Sequence, residues 1–142
     1  MNKFLVPIDG SDQSKRGLKS ALKLIEGKES QTRLILIHVS IDSEQYAEAG
    51  AALNVNINQS AKAEGEELLQ HALHSIPDGD LEVEIVHLEG LISQSIIDFS
   101  NQEKVDFIVM GGAGAGSISE SILGSVSHQV LHHADAPVVI VK

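Results

Sequence analysis

The chain has 142 residues, which suits one domain with a single core, so we expect residues 1–142 to form one domain. Apolar residues make up 42% of it, and no apolar run approaches the roughly 18 residues of a membrane span, which argues against a disordered or membrane-spanning chain. The net charge of −10 repels nucleic acid and anionic membranes, and the lack of cysteine excludes disulfides, thiolate zinc sites and cysteine nucleophiles. Because Met1 leads straight into a strand-like run and not into a signal peptide, we expect a cytoplasmic protein.

Five segments have the composition of strands. They are residues 3–8 (KFLVPI), 33–40 (RLILIHVS), 81–88 (LEVEIVHL), 105–110 (VDFIVM) and 137–141 (PVVIV). Four of them are nearly continuous apolar runs, which is typical of strands covered on both faces in a parallel sheet. In the third segment apolar residues alternate with Glu82 and Glu84, which predicts a half-exposed edge strand.

Helical spacing of apolar residues recurs between these strands. The predicted helices are 11–25, 61–76, 92–100 and 125–134. Regular alternation of strand and helix predicts an α/β fold, an open five-stranded parallel sheet with helices on both faces. The connection 41–58 is longer than the usual ~2–6 residues. It is either an early helical turn or surface loop, or a flap over a site.

The segment after the fourth strand, GGAGAGSISESILGSVSHQV, is rich in glycine and serine. Ligands of open parallel sheets bind beyond the carboxyl ends of the strands, and glycine exposes the main-chain N–H groups there. Ser125 begins the last helix, whose N-terminus attracts phosphate, although Ser125 also suits a purely structural helix cap. The sequence has no Gly-Lys-Ser/Thr motif and no Lys or Arg between Val105 and Val141, so phosphate would be bound by main-chain N–H groups and a divalent cation.

Asp9 is the second residue of functional interest, because it follows the first buried strand at the same edge of the sheet. A carboxylate beside a phosphate site is expected to face a hydroxyl group, such as that of ribose, or a metal. Alternatively, Asp9 joins Ser11 and Asp12 in capping the first helix. Pro7 has no N–H, so we expect the pairing of the first strand to fail there and to open this end.

The chain resembles the universal stress protein family in several stretches. They are Gly111-x-x-Gly114, nine residues, then Gly124-Ser125-Val126, together with VPIDGS (6–11), LILIHV (34–39), DFIVMG (106–111) and APVVIVK (136–142). The glycine spacing is similar to that of the nucleotide-binding branch. The resemblance implies a Rossmann-like fold of the adenine nucleotide alpha hydrolase type with strand order 3-2-1-4-5, a homodimer formed through the last strand, and bound ATP or another adenine nucleotide.

Family resemblance also assigns roles to individual residues of the nucleotide site. Pro7 and Ile8 would line it, Asp9 would hold the ribose, the main chain of Val39 would bind the adenine edge, and Met110 would pack near the nucleoside. The phosphate-binding residues would be Gly111, Gly114, Gly124, Ser125 and Val126, with Mg²⁺ or Mn²⁺ carried by the phosphates. The chain departs from many relatives at Gly112-Ala113, which bears on phosphate affinity and hydrolysis, and at Leu91-Ile92, which bears on the turn before the third helix.

Two functions of different classes are compatible with this sequence. One is a dimeric regulatory or sensing module of a stress response, in which the bound adenine nucleotide changes how the protein is recognised by its partners. The other is a slow Mg²⁺-dependent ATPase or phosphoryl-transfer enzyme. The first is favoured, since no general base, arginine finger or loop lysine is evident, and we expect no catalytic side chain.

Two further features have a functional and a structural interpretation. The apolar last strand invites edge pairing with a second copy, unless a helix of its own chain covers it; its residues are Val138, Val139, Ile140 and Val141. The pairs His128/His132 and His71/His74 have a spacing that two metal ligands share, but no third ligand is evident, which favours exposed or packed histidines and no metal site built by side chains.

Overall fold

Strands and helices alternate along the chain as predicted. A computed structural model describes residues 1–41, 57–112 and 124–142, and side chains at 57–59 are left aside. In these ranges the strands are β1 (Asn2–Pro7), β2 (Thr32–Ser40), β3 (Glu82–Glu89), β4 (Phe107–Gly111) and β5 (Val138–Val141). The helices are α1 (Asp12–Ile25), α2 (Ile57–His74), α3 (Ile92–Glu103) and α4 (Ser125–His133), with a 3₁₀ turn at Glu29–Gln31.

The strands form one sheet in the order β3-β2-β1-β4-β5. All four neighbouring pairs are parallel, and β1 lies at the centre with Val6 beside Leu36 of β2 and Leu5 beside Ile108 of β4. Both the predicted α/β fold and the strand order 3-2-1-4-5 are confirmed. In this order β1 and β4 are adjacent although far apart in sequence, so the crossovers run in opposite directions on either side of β1, which creates a crevice at their carboxyl ends.

Helices cover both faces of the sheet, as predicted. On one face α1 and α2 pack over a core that includes Val6, Leu36 and Val109. On the other face α3 and α4 pack over a core that includes Leu5, Ile37 and Ile108. Successive residues of a strand point to opposite faces, so central strands that are buried on both sides must be apolar throughout, as these are.

Helix α1 shows why its sequence folds locally as it does. The Ser11 side chain caps it by accepting from the Ser14 N–H. Its buried positions follow helical spacing, from Leu18 through Ala21 to Ile25, and direct one face onto the sheet. Gly27 follows the helix with a φ of 84°, which confirms the predicted stop.

The element boundaries differ from the predicted ones mainly at α2. It begins at Ile57 and not at residue 61, so the predicted long connection is shorter at its carboxyl end. The rest of that connection, residues 42–56, lies outside the described residues. Strand β3 is at the edge of the sheet with half-exposed residues, which confirms its predicted position. None of the helices in the described ranges has an apolar stretch long enough to cross a bilayer.

Candidate functional site

A cleft lies beyond the carboxyl ends of β1, β2 and β4, between the first turns of α1, α3 and α4. Its volume is ≈ 140 Å³ within the described part of the chain. Its walls contain Pro7, Ile8, Asp9, Ser11, Gln13, Ser14, Ile37, His38, Val39, Ile92, Ile96, Met110, Gly111, Val126 and Ser127. The structure therefore brings seven of the ten predicted site residues together: Pro7, Ile8, Asp9, Val39, Met110, Gly111 and Val126.

The cleft opens on one side of β1. The Ile8 N–H still donates to the Ile37 carbonyl of β2 at 2.7 Å, so pairing with β2 continues past Pro7. Paired residues between β1 and β4 end at Leu5 and Ile108. The expectation that pairing fails at Pro7 is thus wrong on the β2 side. Because alternate residues face opposite neighbours, the nitrogen of Pro7 points towards β4, where the two strands separate.

Asp9 is exposed in the turn between β1 and α1. Its Oδ1 accepts from the Ser11 N–H at 2.9 Å and from the Ser11 hydroxyl, and its own N–H donates to Ser14 Oγ at 3.2 Å. These bonds bear out the capping interpretation. They occupy Oδ1 alone, and no bond to Oδ2 is found among the described residues, so the predicted ribose contact remains open to the second oxygen.

The end of β4 is more tightly bonded than the sequence suggests. The Gly111 carbonyl accepts from the Ser127 hydroxyl at 2.9 Å, and the Gly112 N–H donates to the Val141 carbonyl at 2.8 Å. A Cβ on Gly111 would overlap the Gln13 carbonyl of α1. The expectation that Gly112 exposes its N–H is wrong, because β5 continues the ladder to it. The packing of α1 against β4 therefore requires glycine at position 111, independently of any contact between Gly111 and a ligand.

The first turn of α4 has main-chain donors without a partner among the described residues. Gly124 occupies the cap position with φ −71° and ψ 168°, and it has no side chain with which to accept. The first main-chain bond of the helix runs from the His128 N–H to the Gly124 carbonyl, at 2.9 Å. The N–H groups of residues 125–127 precede it and have no partner within the helix.

The remaining predicted phosphate ligands are placed less directly. Val126 and Ser127 lie in the cleft wall, whereas Gly124 and Ser125 adjoin it at the start of α4 without lining it. Gly114 lies outside the described residues.

The main chain of Val39 points into the cleft. The Ile37 carbonyl bonds to β1, and the Ser40 carbonyl accepts from the Gly90 N–H next to β3 at 2.9 Å. Because residues alternate along a strand, the N–H and C=O of Val39 point to the β1 side. The last paired residues of β1 and β2 are Pro7 and Ile37, so Val39 extends beyond the end of its neighbour.

A family model described as the universal stress protein family matches residues 1–142. The chain belongs to the universal stress protein family.

Individual relatives cover the chain almost completely. Universal stress protein YxiE from Bacillus subtilis is 30% identical over 148 residues, which is 99% of this chain and 99% of that protein. The structure of hypothetical protein MJ0577 from Methanocaldococcus jannaschii matches with a TM-score of 0.72 and 26% identity over 99% of this chain and 95% of that one. A family protein from Arabidopsis thaliana, solved with AMP bound, matches with a TM-score of 0.73 and 21% identity over 100% and 92%. The predicted family is therefore confirmed.

The electrostatics of this universal stress protein differ along the cleft. Asp9 and Asp12 place two carboxylates at the start of α1, whereas the first turn of α4 has no acidic residue. A helix N-terminus carries partial positive charge, which the two aspartates offset at α1. In the described part of the wall the titratable side chains are Asp9 and His38. An anion is therefore favoured at α4 and a hydroxyl-bearing group at Asp9.

A larger groove of ≈ 400 Å³ lies between α1 and α2. Aliphatic side chains such as Leu18, Leu22 and Leu68 form much of its lining, and Lys15 and Lys19 also line it. The groove lies away from the end of β4 and from the first turn of α4, so it lacks the main-chain donors that distinguish the smaller cleft. This contrast makes the cleft at the strand ends the candidate functional site of this universal stress protein.

The two histidine pairs lie on exposed faces of α2 and α4. The rings of His128 and His132 pack edge to face with centroids 4.4 Å apart, and His71 and His74 are exposed on α2. Among the described residues, no three His, Asp or Glu side chains cluster as metal ligands. The packed or exposed histidines favoured from the sequence match this arrangement.

Five polar residues of the described cleft wall were not predicted as site residues, namely Ser11, Gln13, Ser14, His38 and Ser127, and the last three bond to the main chain of the site. Ser14 bonds to the Asp9 N–H, Ser127 bonds to the Gly111 carbonyl, and the His38 ring bonds to the Ile8 carbonyl at 2.6 Å. Both serines lie in the first turn of a helix on its buried side. A serine one turn before a buried residue, as Ser127 is before Val130, was the signal that could have identified them.

Proposed function

We propose that this universal stress protein is a cytoplasmic adenine-nucleotide-binding module, with ATP as its ligand, that acts as a regulatory or sensing dimer. The observation that carries the proposal is the uncapped first turn of α4 at the edge of the cleft. Its main-chain N–H groups lack partners within the helix and face no carboxylate of the same turn. Such a terminus binds phosphate without a lysine or arginine side chain.

The parts of a nucleotide match the parts of the cleft. The triphosphate lies along the start of α4, the ribose against Asp9, and the purine edge against the Val39 main chain. Pro7, Ile8 and Met110 form the apolar surface beside the nucleoside. The phosphate-binding main chain belongs to Gly111, Gly114, Gly124, Ser125 and Val126.

Charge neutralisation needs a cation that the described wall does not supply. The four charges of ATP exceed the partial charge of one helix terminus, which is about half an elementary charge. Mg²⁺ or Mn²⁺ held by the phosphates would offset two of these charges, and protein side chains need not coordinate it.

The family relationship supports the class of ligand. The Arabidopsis thaliana protein, which has the same fold, was solved with AMP. AMP shares the adenine, the ribose and the first phosphate with ATP, so its presence there fits the roles proposed for Val39, Asp9 and α4. The geometry of the α4 terminus in this chain is independent support.

Binding is tested by titrating ATP into the purified protein by calorimetry, with Mg²⁺ present. We expect saturable one-site binding, and GTP should bind more weakly because the Val39 main chain presents one donor and one acceptor to an adenine edge. At a hundred times its dissociation constant, ATP should stabilise the fold by about 2.7 kcal/mol, seen as a higher melting temperature. Absence of both heat and stabilisation would contradict the proposal.

A single-turnover hydrolysis experiment distinguishes a regulatory nucleotide-binding module from an ATPase. The described wall contains no lysine or arginine to stabilise a transferring phosphate, which favours a binding module. We expect bound ATP to remain intact over many minutes with Mg²⁺ or Mn²⁺. Sustained turnover that disappears in Gly124→Ala or Asp9→Ala would instead establish the ATPase.

Dimerisation is proposed through β5. This strand is at the edge of the sheet, paired on one side with β4. Its residues Val138, Val139, Ile140 and Val141 are all partly exposed. An apolar edge strand pairs readily with a second copy.

The mass in solution tests the β5 interface. Sedimentation should give twice the chain mass of 15.2 kDa. Ile140→Lys should shift the protein to monomer, while Leu131→Lys, an exposed apolar residue of α4, should not. A monomeric wild type, or a dimer that survives Ile140→Lys and not Leu131→Lys, would place the interface elsewhere.

A further inference from the structure

The hydrogen-bond ladder between β1 and β2 ends in an unusual way. After the bond from the Ile8 N–H to the Ile37 carbonyl, the next ladder bond would join the Val39 N–H to the Ile8 carbonyl. That bond is not formed in the described part of the chain. The Ile8 carbonyl accepts instead from His38 Nδ1 at 2.6 Å. A side chain of β2 thus replaces the main-chain donor that follows it.

This hydrogen bond determines the tautomer of His38. A carbonyl oxygen accepts and never donates, so Nδ1 carries the proton. The consequence for Val39 is direct, because its N–H, on the side of the cleft, has no partner among the described residues. The following inference rests on the proposed nucleotide function. We propose that His38 is a positioning residue that holds the Ile8 carbonyl and thereby keeps the Val39 peptide group free for the purine. This role depends on pH through the stacked partner of His38, His87.

The two imidazole rings are held together by the sheet and by α2. His38 and His87 are opposite each other in the register of β2 and β3, with centroids 5.6 Å apart and planes at 11°. A Cβ on Gly65 of α2 would be 2.5 Å from His38 Cδ2 and 2.7 Å from His87 Nε2. The helix therefore covers both rings closely and leaves them little room to separate.

His87 has its own directed hydrogen bonds. Its Nε2 is 2.8 Å from Ser40 Oγ, and that hydroxyl donates to the Ala61 carbonyl at 3.3 Å. A hydroxyl has a single proton, so Nε2 of His87 donates to Ser40. At neutral pH each ring thus uses one N–H, and neither needs a positive charge.

Burial and the neighbouring charges together disfavour the protonation of His87. Burial, and then the charge of His38, lower the pKa of His87 from its usual 6.5. On α2, Glu66 opposes this effect and Lys62 adds to it, while Glu89 on β3 opposes it. The unfolded chain consequently binds this proton more tightly than the folded one. Stability from the pair is present above pH 6.5 and is lost as the pH falls through the lower folded-state pKa of His87.

Acidification should therefore weaken the nucleotide site as well. A positive charge gained by His87 is unfavourable against the stacked His38 ring, and the close contact with Gly65 leaves ring rotation as the available response. Rotation of His38 releases the Ile8 carbonyl, which the Val39 N–H then takes up by extending the ladder. The purine loses its main-chain donor without any change in the residues that bind phosphate.

Substitutions of the full chain test the positioning role. His38→Leu should weaken ATP binding about tenfold, as expected for one lost hydrogen bond to the ligand. His38→Asn should restore it, because the asparagine amide places a donor near the position of Nδ1. Equal ATP affinities of wild type and His38→Leu would overturn the proposal. It would also be overturned if His38→Asn, shown by its melting curve to be folded, did not restore ATP affinity.

A readout without ligand separates this proposal from the proposed function. In the wild type, NMR should show His38 protonated at Nδ1 and rapid hydrogen exchange of the Val39 amide, with slow exchange in His38→Leu. If ATP fails to bind while this pattern is found, the nucleotide function is wrong and the structural role of His38 stands. A protected Val39 amide in the wild type would contradict the role whether or not ATP binds.

The pH dependence is tested by ATP affinity between about pH 7.5 and pH 5.5, which brackets the usual histidine value. Wild type should lose affinity on acidification more steeply than His87→Gln, whose amide can still donate to Ser40. Titration of the ATP phosphates is common to both proteins and cancels in the comparison. His71→Gln, an exposed histidine of α2, should keep the wild-type slope. Equal slopes for wild type and His87→Gln would overturn the pH-dependent part.

Discussion

Helices α1 and α4 begin at the same edge of the sheet, yet their first turns are built in opposite ways. At α1 the Ser11 hydroxyl accepts from the Ser14 N–H at 3.1 Å, and Asp9 and Asp12 place carboxylates nearby. At α4 Gly124 provides no acceptor, and no acidic residue follows in the first turn. Among the described residues the α1 terminus is capped by its own chain, whereas no side-chain cap is found at the α4 terminus. The two helix ends thus differ in their cap residues, and under the proposed function this difference directs phosphate to α4.

The largest effect is expected from Gly111→Ala, which tests the packing of α1 against β4. The new Cβ would overlap the Gln13 carbonyl, a main-chain group that cannot move away by changing rotamer. We expect a loss of about 3 kcal/mol in the free energy of unfolding, measured in urea. Gly124→Ala is the matched control: no atom of the described residues lies within 4 Å of its added Cβ, so it should cost no more than about 1 kcal/mol. Similar losses in both variants would show that α1 does not need glycine at 111.

The next effect is on affinity, from Gly124→Asp. The φ and ψ of Gly124 are those of a cap residue, and no atom of the described part of the chain lies near an added Cβ. An aspartate there should cap α4 and raise stability by up to about 1 kcal/mol, and should weaken ATP binding by about tenfold or more, because it competes with phosphate for the same N–H groups. Calorimetry of Gly124→Asp measures the expected loss of ATP affinity, and urea unfolding of the same variant measures the expected gain in stability.

Gly124→Ser separates capping from charge in this experiment. The serine caps α4 without adding a negative charge, so it should stabilise the helix and retain more affinity than the aspartate. Undiminished ATP binding by Gly124→Asp would show that phosphate does not lie at α4, and the contrast between the two helix ends would lose its functional meaning.

The elements of the sheet could be predicted because burial on both faces demands apolar runs. Residues 33–40 and 105–110 satisfy that demand and lie within two residues of the observed strands. The early start of α2 could not be predicted, since residues 57–60 combine one apolar with three polar side chains. Strand order depends on which strands pair in space, and it followed from the family resemblance, not from periodicity.

The site could be predicted as a location, and less well as a set of contacts. A strand end followed by glycine indicates where a ligand binds, which placed Asp9 and Met110 in the cleft wall. Glycine has the same appearance in sequence whether it exposes an N–H or makes room for a neighbour. Gly112 pairs with β5 and Gly111 makes room for α1, and neither partner is near in sequence. The bond of His38 to Ile8 was inaccessible for the same reason, as it replaces a ladder bond between distant strands.

A smaller effect is expected from Asp9→Asn, which tests whether the carboxylate beside the α1 terminus contacts the ribose. The asparagine oxygen can still accept from the Ser11 N–H, so the turn should persist. ATP affinity should fall about tenfold, the effect of weakening a charge-assisted hydrogen bond to ribose. ATP that lacks both ribose hydroxyls should bind wild type and variant equally. Asp12→Asn, outside the wall, should leave affinity unchanged; a loss there equal to that of Asp9→Asn would indicate a general field effect.

The smallest effects are expected from substitutions of the serines at the starts of α1 and α4, which are Ser11 and Ser125. Ser11→Ala removes the acceptor of the Ser14 N–H and should cost about 1 kcal/mol of stability, while ATP affinity changes less than it does in Asp9→Asn. In Ser125→Ala no side-chain cap bond is lost, because none is found at the start of α4 among the described residues, so stability should change by less than about 0.5 kcal/mol. Urea unfolding without nucleotide measures both. If Ser125→Ala costs as much as Ser11→Ala, the α4 terminus is capped by its own chain in solution, and phosphate would have to displace that cap before it binds.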